Sequence, residues 1–179
     1  GLIDMILMGH LGDATYIGAI ALGGTIFSVL YSFFSFLRAG TTGFTAQALG
    51  SGNNTETIYS LYRSLCIGIP IIILILATQI PIARLSNLLL DGSDEVKALA
   101  IEYFFIRIWA APANIMLYCL NGWFVGMQNT KIPMLIAILI NVTNIIFSIF
   151  FVIILNQNVA GVALGTVIAQ YSGLIFAII

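Results

Sequence analysis

The chain has 179 residues, of which 60% are hydrophobic and only 7% are charged, and its formal net charge is −1. Soluble domains carry about 25% charged residues, so this composition excludes a soluble fold and indicates an integral membrane protein. The absence of a net positive charge also argues against a nucleic-acid partner, because phosphate binding requires a basic surface.

Charged residues divide the sequence into apolar stretches that are long enough to cross a bilayer. Residues 14–37, 64–83, 108–130 and 132–179 are uncharged, and a spanning helix needs about 20 apolar residues. The last stretch is long enough for two crossings and divides at a polar triplet, residues 156–158. The predicted helices are, in chain order, a stub at 1–9 and full helices at 14–49, 57–81, 95–128, 132–155 and 159–179.

Two of the predicted helices, 14–49 and 95–128, are longer than the bilayer is thick and must tilt, kink or project from it. Gly40 and Gly43 are candidate flex points in the first of them, and Pro112 is one in the second. All the connections are short, so we expect one all-α transmembrane domain over residues 1–179. Because the chain begins with Gly rather than Met, we expect the first helix to be truncated.

No enzyme motif is present in the sequence. It contains no phosphate-binding loop, no His and Cys residues at metal-ligand spacing, and a single His. We therefore predict that the protein is not an enzyme and that it has no metal site and no cofactor.

Polar residues recur at steps of three or four inside the apolar helices, so within each helix they share one face. Such residues often hold membrane helices together, but one polar face on each of four helices favours a water-accessible cavity. They are Ser28, Tyr31, Ser35, Arg38, Thr42 and Thr45; Tyr103, Arg107, Asn114, Tyr118, Asn121 and Gln128; Asn141, Asn144 and Ser148; and Thr166 and Gln170. From this set we select Tyr31, Asn114, Tyr118 and Gln170 as residues that line a substrate cavity.

Asp4 is the sharpest single feature, because apolar residues flank it on both sides. An ionisable group inside a membrane is costly and usually marks a functional site. Desolvation disfavours its charged form, so Asp4 could take up and release a proton near neutral pH. The alternative is that Asp4 lies close to the end of the chain and is never deeply buried. Glu102 and Arg107 are five residues apart, which is poor spacing for an ion pair within one helix.

Five segments, in chain order, carry a family resemblance. They are IDMILMGHLG at 3–12, FLRAGTTG at 36–43, TAQA at 45–48, NGWFVGMQ at 121–128 and GVALGTVIAQ at 161–170. Through them the chain resembles the multidrug and toxic compound extrusion (MATE) family, and most of all the branch named for DNA-damage-inducible protein F.

The resemblance implies a multi-pass protein of the cell's inner (plasma) membrane, with twelve helices in two lobes of six. This chain would be the amino-terminal lobe, and its partners would be the lipid bilayer and a carboxy-terminal lobe of the same polypeptide. The family exports amphiphilic, often cationic, small molecules in exchange for protons or sodium ions. The coupling ion would thus be H⁺ or Na⁺.

The resemblance also implies an ion-coupling site formed by Asp4, Asn144, Ser148 and Thr166. Ser148 departs from the family pattern, which often has Asp four residues after the Asn. Two carboxylates could share one proton, whereas here Asp4 would have to carry the protonation alone.

Two alternatives to a cation-coupled multidrug antiporter remain open. A flippase for lipid-linked saccharides would share the bundle but would line its cavity with basic residues, for which only Arg38 and Arg107 are candidates. A non-transporting membrane scaffold would have fully packed polar faces and no need of Asp4.

Overall fold

The computed structural model describes residues 14–89 and 91–179, and every regular element in these two ranges is helical. The helices are α1 (Ala14–Ser32), α2 (Ser35–Gly50), α3 (Asn54–Ala77), α4 (Gln79–Leu89), α5 (Asp94–Arg107), α6 (Ala111–Gly126), α7 (Lys131–Ile149) and α8 (Val159–Ile178). Together they include five stretches that are long and apolar enough to cross a membrane: Ala14–Gly50, Asn54–Ala77, Asp94–Gly126, Lys131–Ile154 and Val159–Ile178. The predicted all-α membrane bundle is confirmed, while the stub at 1–9 lies outside the described residues.

The first long stretch breaks between α1 and α2, at residues 33–34. Two serine hydroxyls flank the break: Ser32 Oγ donates to the carbonyl of Val29 (2.7 Å) and Ser35 Oγ donates to the carbonyl of Ser32 (2.8 Å). Such bonds compete with the backbone ladder of a helix. The predicted flex points at Gly40 and Gly43 were wrong, because both glycines lie inside α2.

The connection predicted between Pro81 and Asp94 contains an additional helix, α4. Pro81 is the third residue of α4, within the first turn, where a missing backbone N–H costs no helical hydrogen bond. Helix α3 also begins three residues earlier than predicted, because the Asn53 side chain accepts a bond from the backbone N–H of Glu56 (3.0 Å) and caps the helix. The predicted helix at 57–81 was therefore misplaced at both ends.

The helical stretch Asp94–Gly126 is interrupted near Pro112, as the sequence predicts. A single 3₁₀ turn, Ile108–Ala110, separates α5 from α6, and Pro112 lies in the first turn of α6. A short π-helical segment, Phe150–Ile154, extends α7 and completes the fourth spanning stretch.

Small residues bring the helices into close contact. On α6, a Cβ added to Gly122 would lie 2.6 Å from the backbone oxygen of Arg38, and one added to Gly126 would lie 2.6 Å from Cβ of Thr45. Helix α2 thus packs directly on α6, as is common where membrane helices have no hydrophobic driving force between them. Helices α7 and α8 form the most extensive pair, α1 packs on α5, and α8 also contacts α5 and α6.

Candidate functional site

The predicted coupling residues of α7 and α8 lie together inside the bundle. Ser148 and Thr166 are 1% and 9% exposed. The Asn144 side-chain amide donates to Thr166 Oγ1 (3.1 Å), and its distance to Ser148 Oγ is 3.5 Å. Thr166 Oγ1 in turn donates to the backbone carbonyl of Val162 (3.0 Å), which orients its lone pairs for the bond from Asn144. Three of the four predicted coupling residues therefore form one cluster.

Glycine makes this cluster possible. A Cβ added to Gly165 would lie 2.6 Å from Ser148 Oγ and 2.8 Å from the Ser148 backbone nitrogen, so α8 crosses α7 with no side chain between them. Asn144 and Ser148 are four residues apart and share one face of α7. The close approach at Gly165 places the next residue, Thr166, opposite Asn144.

The cluster consists of neutral side chains, which restricts its chemistry. Its amide and hydroxyl oxygens can bind a cation or orient a carboxylic acid, but none of the three side chains changes charge near neutral pH. Among the described residues, no group of three or more His, Cys, Asp or Glu side chains could hold a metal ion. The predicted ion-responsive acid, Asp4, lies outside the described residues.

Three of the four predicted cavity residues also lie together. The rings of Tyr31 and Tyr118 meet edge to face with centroids 6.5 Å apart, and the Asn114 side chain lies beside the Tyr31 hydroxyl. Tyr31 is 8% exposed, yet its hydroxyl has no hydrogen-bond partner of normal geometry among the described residues. Gln170 is half-buried on α8, and no hydrogen bond or ring contact in the described ranges joins it to this group.

Tyr31 has neighbours that the sequence indicates only in part. The Arg107 guanidinium lies over the Phe27 ring, 4.7 Å from its centroid, and donates to the Tyr103 hydroxyl (2.7 Å). Phe27 also stacks on Tyr31 with centroids 5.7 Å apart. Arg107 and Tyr103 stood out as members of one polar face, but Phe27 is an apolar residue in an apolar helix and gave no signal.

Glu102 and Arg107 behave as their spacing predicts. Glu102 is exposed, and the two side chains form no ion pair in the described part of the chain. Arg107 therefore lies within the bundle without this carboxylate as its counter-ion.

Comparison with known proteins identifies the family. The family model described as MatE matches residues 1–150. The chain belongs to the MatE family. Over its whole length this MatE chain is 35% identical to DNA damage-inducible protein F of Escherichia coli strain K12, and it covers 39% of that protein. It is also 27% identical to the multidrug export protein MepA of Staphylococcus saprophyticus, of which it covers 40%.

A solved structure places the MatE chain within the architecture of the family. An inward-facing multidrug resistance MATE transporter of the MOP superfamily superposes with a TM-score of 0.80 at 25% identity, over 99% of this chain and 40% of the other. The chain thus spans about two fifths of the relatives that it matches, which corresponds to one lobe. The predicted resemblance and the predicted lobe architecture are confirmed.

Proposed function

We propose that this MatE chain is the amino-terminal lobe of a multidrug efflux antiporter of the plasma membrane, which is coupled to protons or sodium ions and works by alternating access. The observation that carries the proposal is the bond from Asn144 to Thr166 with Ser148 buried beside it. Asn144 and Ser148 lie on α7 and Thr166 lies on α8, and the family resemblance predicts them as parts of one ion-coupling site.

In the proposed cycle, Asp4 is the ion-responsive carboxylate, and Asn144, Ser148 and Thr166 are its polar surroundings. Neutral hydrogen-bonding groups stabilise a carboxylate without holding a permanent counter-charge, so the acid remains free to exchange its proton or sodium ion. Ion binding and substrate binding would then favour different conformations of the protein, which is the thermodynamic requirement for exchange. The family resemblance implies amphiphilic, often cationic, substrates.

The buried hydroxyl of Tyr31 speaks against a purely structural scaffold. Its oxygen, like Oδ1 of Asn121, is buried without a hydrogen-bond partner of normal geometry in the part of the chain that the structure describes, although the Asn114 amide lies beside the Tyr31 hydroxyl. A packed scaffold would satisfy such groups, because an unpaired buried polar atom costs about 1–3 kcal/mol. Groups of this kind are typical of a cavity that receives water or a ligand.

Reconstitution of the intact protein that carries this chain tests the proposal. Proteoliposomes loaded with fluorescein (an anion) or tetramethylrhodamine ethyl ester (a cation) would be given an inward proton gradient, an inward sodium gradient or no gradient. We expect export of at least one dye under one of the two gradients and none without a gradient. If neither gradient moves either dye above the rate of empty liposomes, the antiporter proposal is wrong.

Replacing Asn144 by Ala should slow gradient-driven export about tenfold, because the bond that orients Thr166 is lost and a bond of this kind contributes about 1 kcal/mol or more. Initial export rates at matched protein density measure the effect. The control is Asn141→Ala on the same helix, since Asn141 is exposed and donates only to the Ala137 carbonyl one turn away (2.8 Å). Equal rates for the two variants would remove Asn144 from the coupling site.

Replacing Ser148 by Asp should move the pH dependence of export to higher pH. Two carboxylates that share one site titrate as a pair. The proton that leaves last is held more tightly than it would be by one acid alone, because its loss would leave two negative charges side by side. Export rates measured across the pH range would show the shift, with Ser148→Asn as the uncharged control of similar size. A pH profile identical to that of the wild type would show that Ser148 does not face the ion-responsive acid.

A further inference from the structure

A row of aromatic rings in the bundle has an arginine at each end, half-buried Arg107 on α5 and exposed Arg38 on α2. Its members are Arg107, Phe27, Tyr31, Tyr118 and Arg38. The Arg107 guanidinium lies 4.7 Å from the Phe27 centroid, the Phe27 and Tyr31 centroids are 5.7 Å apart, and the Tyr31 and Tyr118 centroids are 6.5 Å apart. Arg38 makes no such contact, but its charge is within electrostatic range of the Tyr118 hydroxyl. We call these five residues the aromatic row.

Both arginines lie well inside the length of their spanning stretches, although the Arg38 side chain is exposed and that of Arg107 is half-buried. Arg107 follows the start of its stretch, Asp94, by 13 residues, and Arg38 precedes the end of its stretch, Gly50, by 12 residues. At 1.5 Å per residue each is about 18–20 Å from that end. Ionisable groups at this depth are costly and are retained mainly where they serve a function.

Neither arginine forms an ion pair with a carboxylate in the described ranges. Of the described carboxylates in the spanning stretches, Glu56, Asp94 and Glu95 lie in the first turns of helices, and Glu102 lies inside α5 but is exposed. Among the described residues, the charge that the aromatic row presents is therefore positive.

Hydrogen-bond donors also remain available along the aromatic row. Arg107 uses Nη1 for its bond to Tyr103, and a guanidinium has five N–H donors. The buried Tyr31 hydroxyl has no partner of normal geometry among the described residues, and the Asn114 amide lies beside it. A ligand that accepts hydrogen bonds would satisfy these groups, whereas a cation would face two like charges.

We propose that the aromatic row binds organic anions: amphiphiles with an aromatic body and a carboxylate or sulfonate group. The anionic group would accept bonds from Arg107 and Tyr31, and the ring system would pack on Tyr31 and Tyr118. This inference rests on the proposed transport function and assigns the charge of its substrate. It differs from the cationic class that the family resemblance implies.

Equilibrium dye binding without any gradient tests the inference. The intact protein is placed in phosphatidylcholine nanodiscs, and fluorescence anisotropy follows fluorescein or tetramethylrhodamine ethyl ester, which share a xanthene body but differ in charge. We expect tighter binding of fluorescein, and we expect Arg107→Gln to weaken it about tenfold or more, since hydrogen bonds to charged groups are the stronger ones. Arg107→Lys, which retains the charge, should bind more tightly than Arg107→Gln.

Arg63→Gln is the matched control. Arg63 also lies over a tyrosine ring, that of Tyr59 (5.9 Å), but it is exposed on α3 and paired with Glu56. This substitution should leave fluorescein affinity unchanged. A second set of nanodiscs that contain phosphatidylglycerol separates the possible sources of the anion: weaker dye binding there would identify an anionic lipid as a competing occupant of the same site.

Tyr31→Phe provides a test that does not depend on the folding of the arginine variants. It retains the ring and removes a buried hydroxyl that has no hydrogen-bond partner of normal geometry among the described residues. Thermal stability should therefore change little, while fluorescein affinity should fall several-fold. Two results would overturn the inference. One is tighter binding of the cationic dye by the wild-type protein, and the other is fluorescein binding by both Arg107→Gln and Tyr31→Phe that equals that of the wild type. Because no gradient is applied, these outcomes are independent of whether the transporter is ion-coupled.

Discussion

Replacing Asp4 by Asn in the intact protein is expected to abolish gradient-driven drug export while expression and membrane insertion remain normal. Asn is close to Asp in shape, so packing should survive, but it cannot ionise, so a cycle of proton or sodium binding should stop. The described cluster makes this effect large, because Asn144, Ser148 and Thr166 supply no charge that could replace the lost carboxylate. Export from proteoliposomes, measured against pH, gives the result.

Asp91→Asn is the appropriate control for that experiment. Asp91 is an exposed carboxylate in the connection before α5, so its removal changes the net charge equally but should not affect transport. Wild-type export from the Asp4→Asn protein would refute the proposed mechanism. Coupling would then have to occur elsewhere in the intact protein, or the protein would belong to another transport class.

Replacing Gly165 by Ala is expected to destabilise the lobe and to reduce export together. The added Cβ would lie 2.8 Å from the Ser148 backbone nitrogen, which cannot move aside as a flexible side chain could. The α7–α8 pair must therefore separate, at a cost of about 1–3 kcal/mol for an overpacked contact. The same separation would lengthen the bond from Asn144 to Thr166. Thermal unfolding of the detergent-solubilised protein and export rates measure the two effects.

Gly40→Ala separates this steric effect from the helix propensity of alanine. A Cβ on Gly40 would meet no atom within 4 Å, and alanine is favoured over glycine in a helix by about 1 kcal/mol. We expect Gly40→Ala to leave stability unchanged or slightly raised. If Gly165→Ala unfolds at the wild-type temperature, the helices at this crossing are not in the close contact described.

The irregular points in the helices were predictable only in part. Pro112 marked the turn before α6 correctly, because proline acts through its own ring and missing N–H. The break at residues 33–34 was missed. The hydroxyls of Ser32 and Ser35 bond to nearby backbone carbonyls there, and serine does not form such bonds in every helix. Helix α4 was missed because a proline-containing polar segment resembles a loop unless its cap and packing are known.

The sequence by itself determined the class of the protein, the spanning stretches and which polar residues share one face of a helix, such as Asn144 and Ser148. These follow from local properties: apolar length sets what can cross a bilayer, lipid forces the backbone to bond within a helix, and a step of four residues sets the shared face. Only the tertiary structure decided which faces meet. The crossing at Gly165 brings α7 and α8 together, and the Phe27 ring lies under the Arg107 guanidinium of another helix. Contacts of this kind depend on the shapes of both helices, and no single segment of the sequence contains that information.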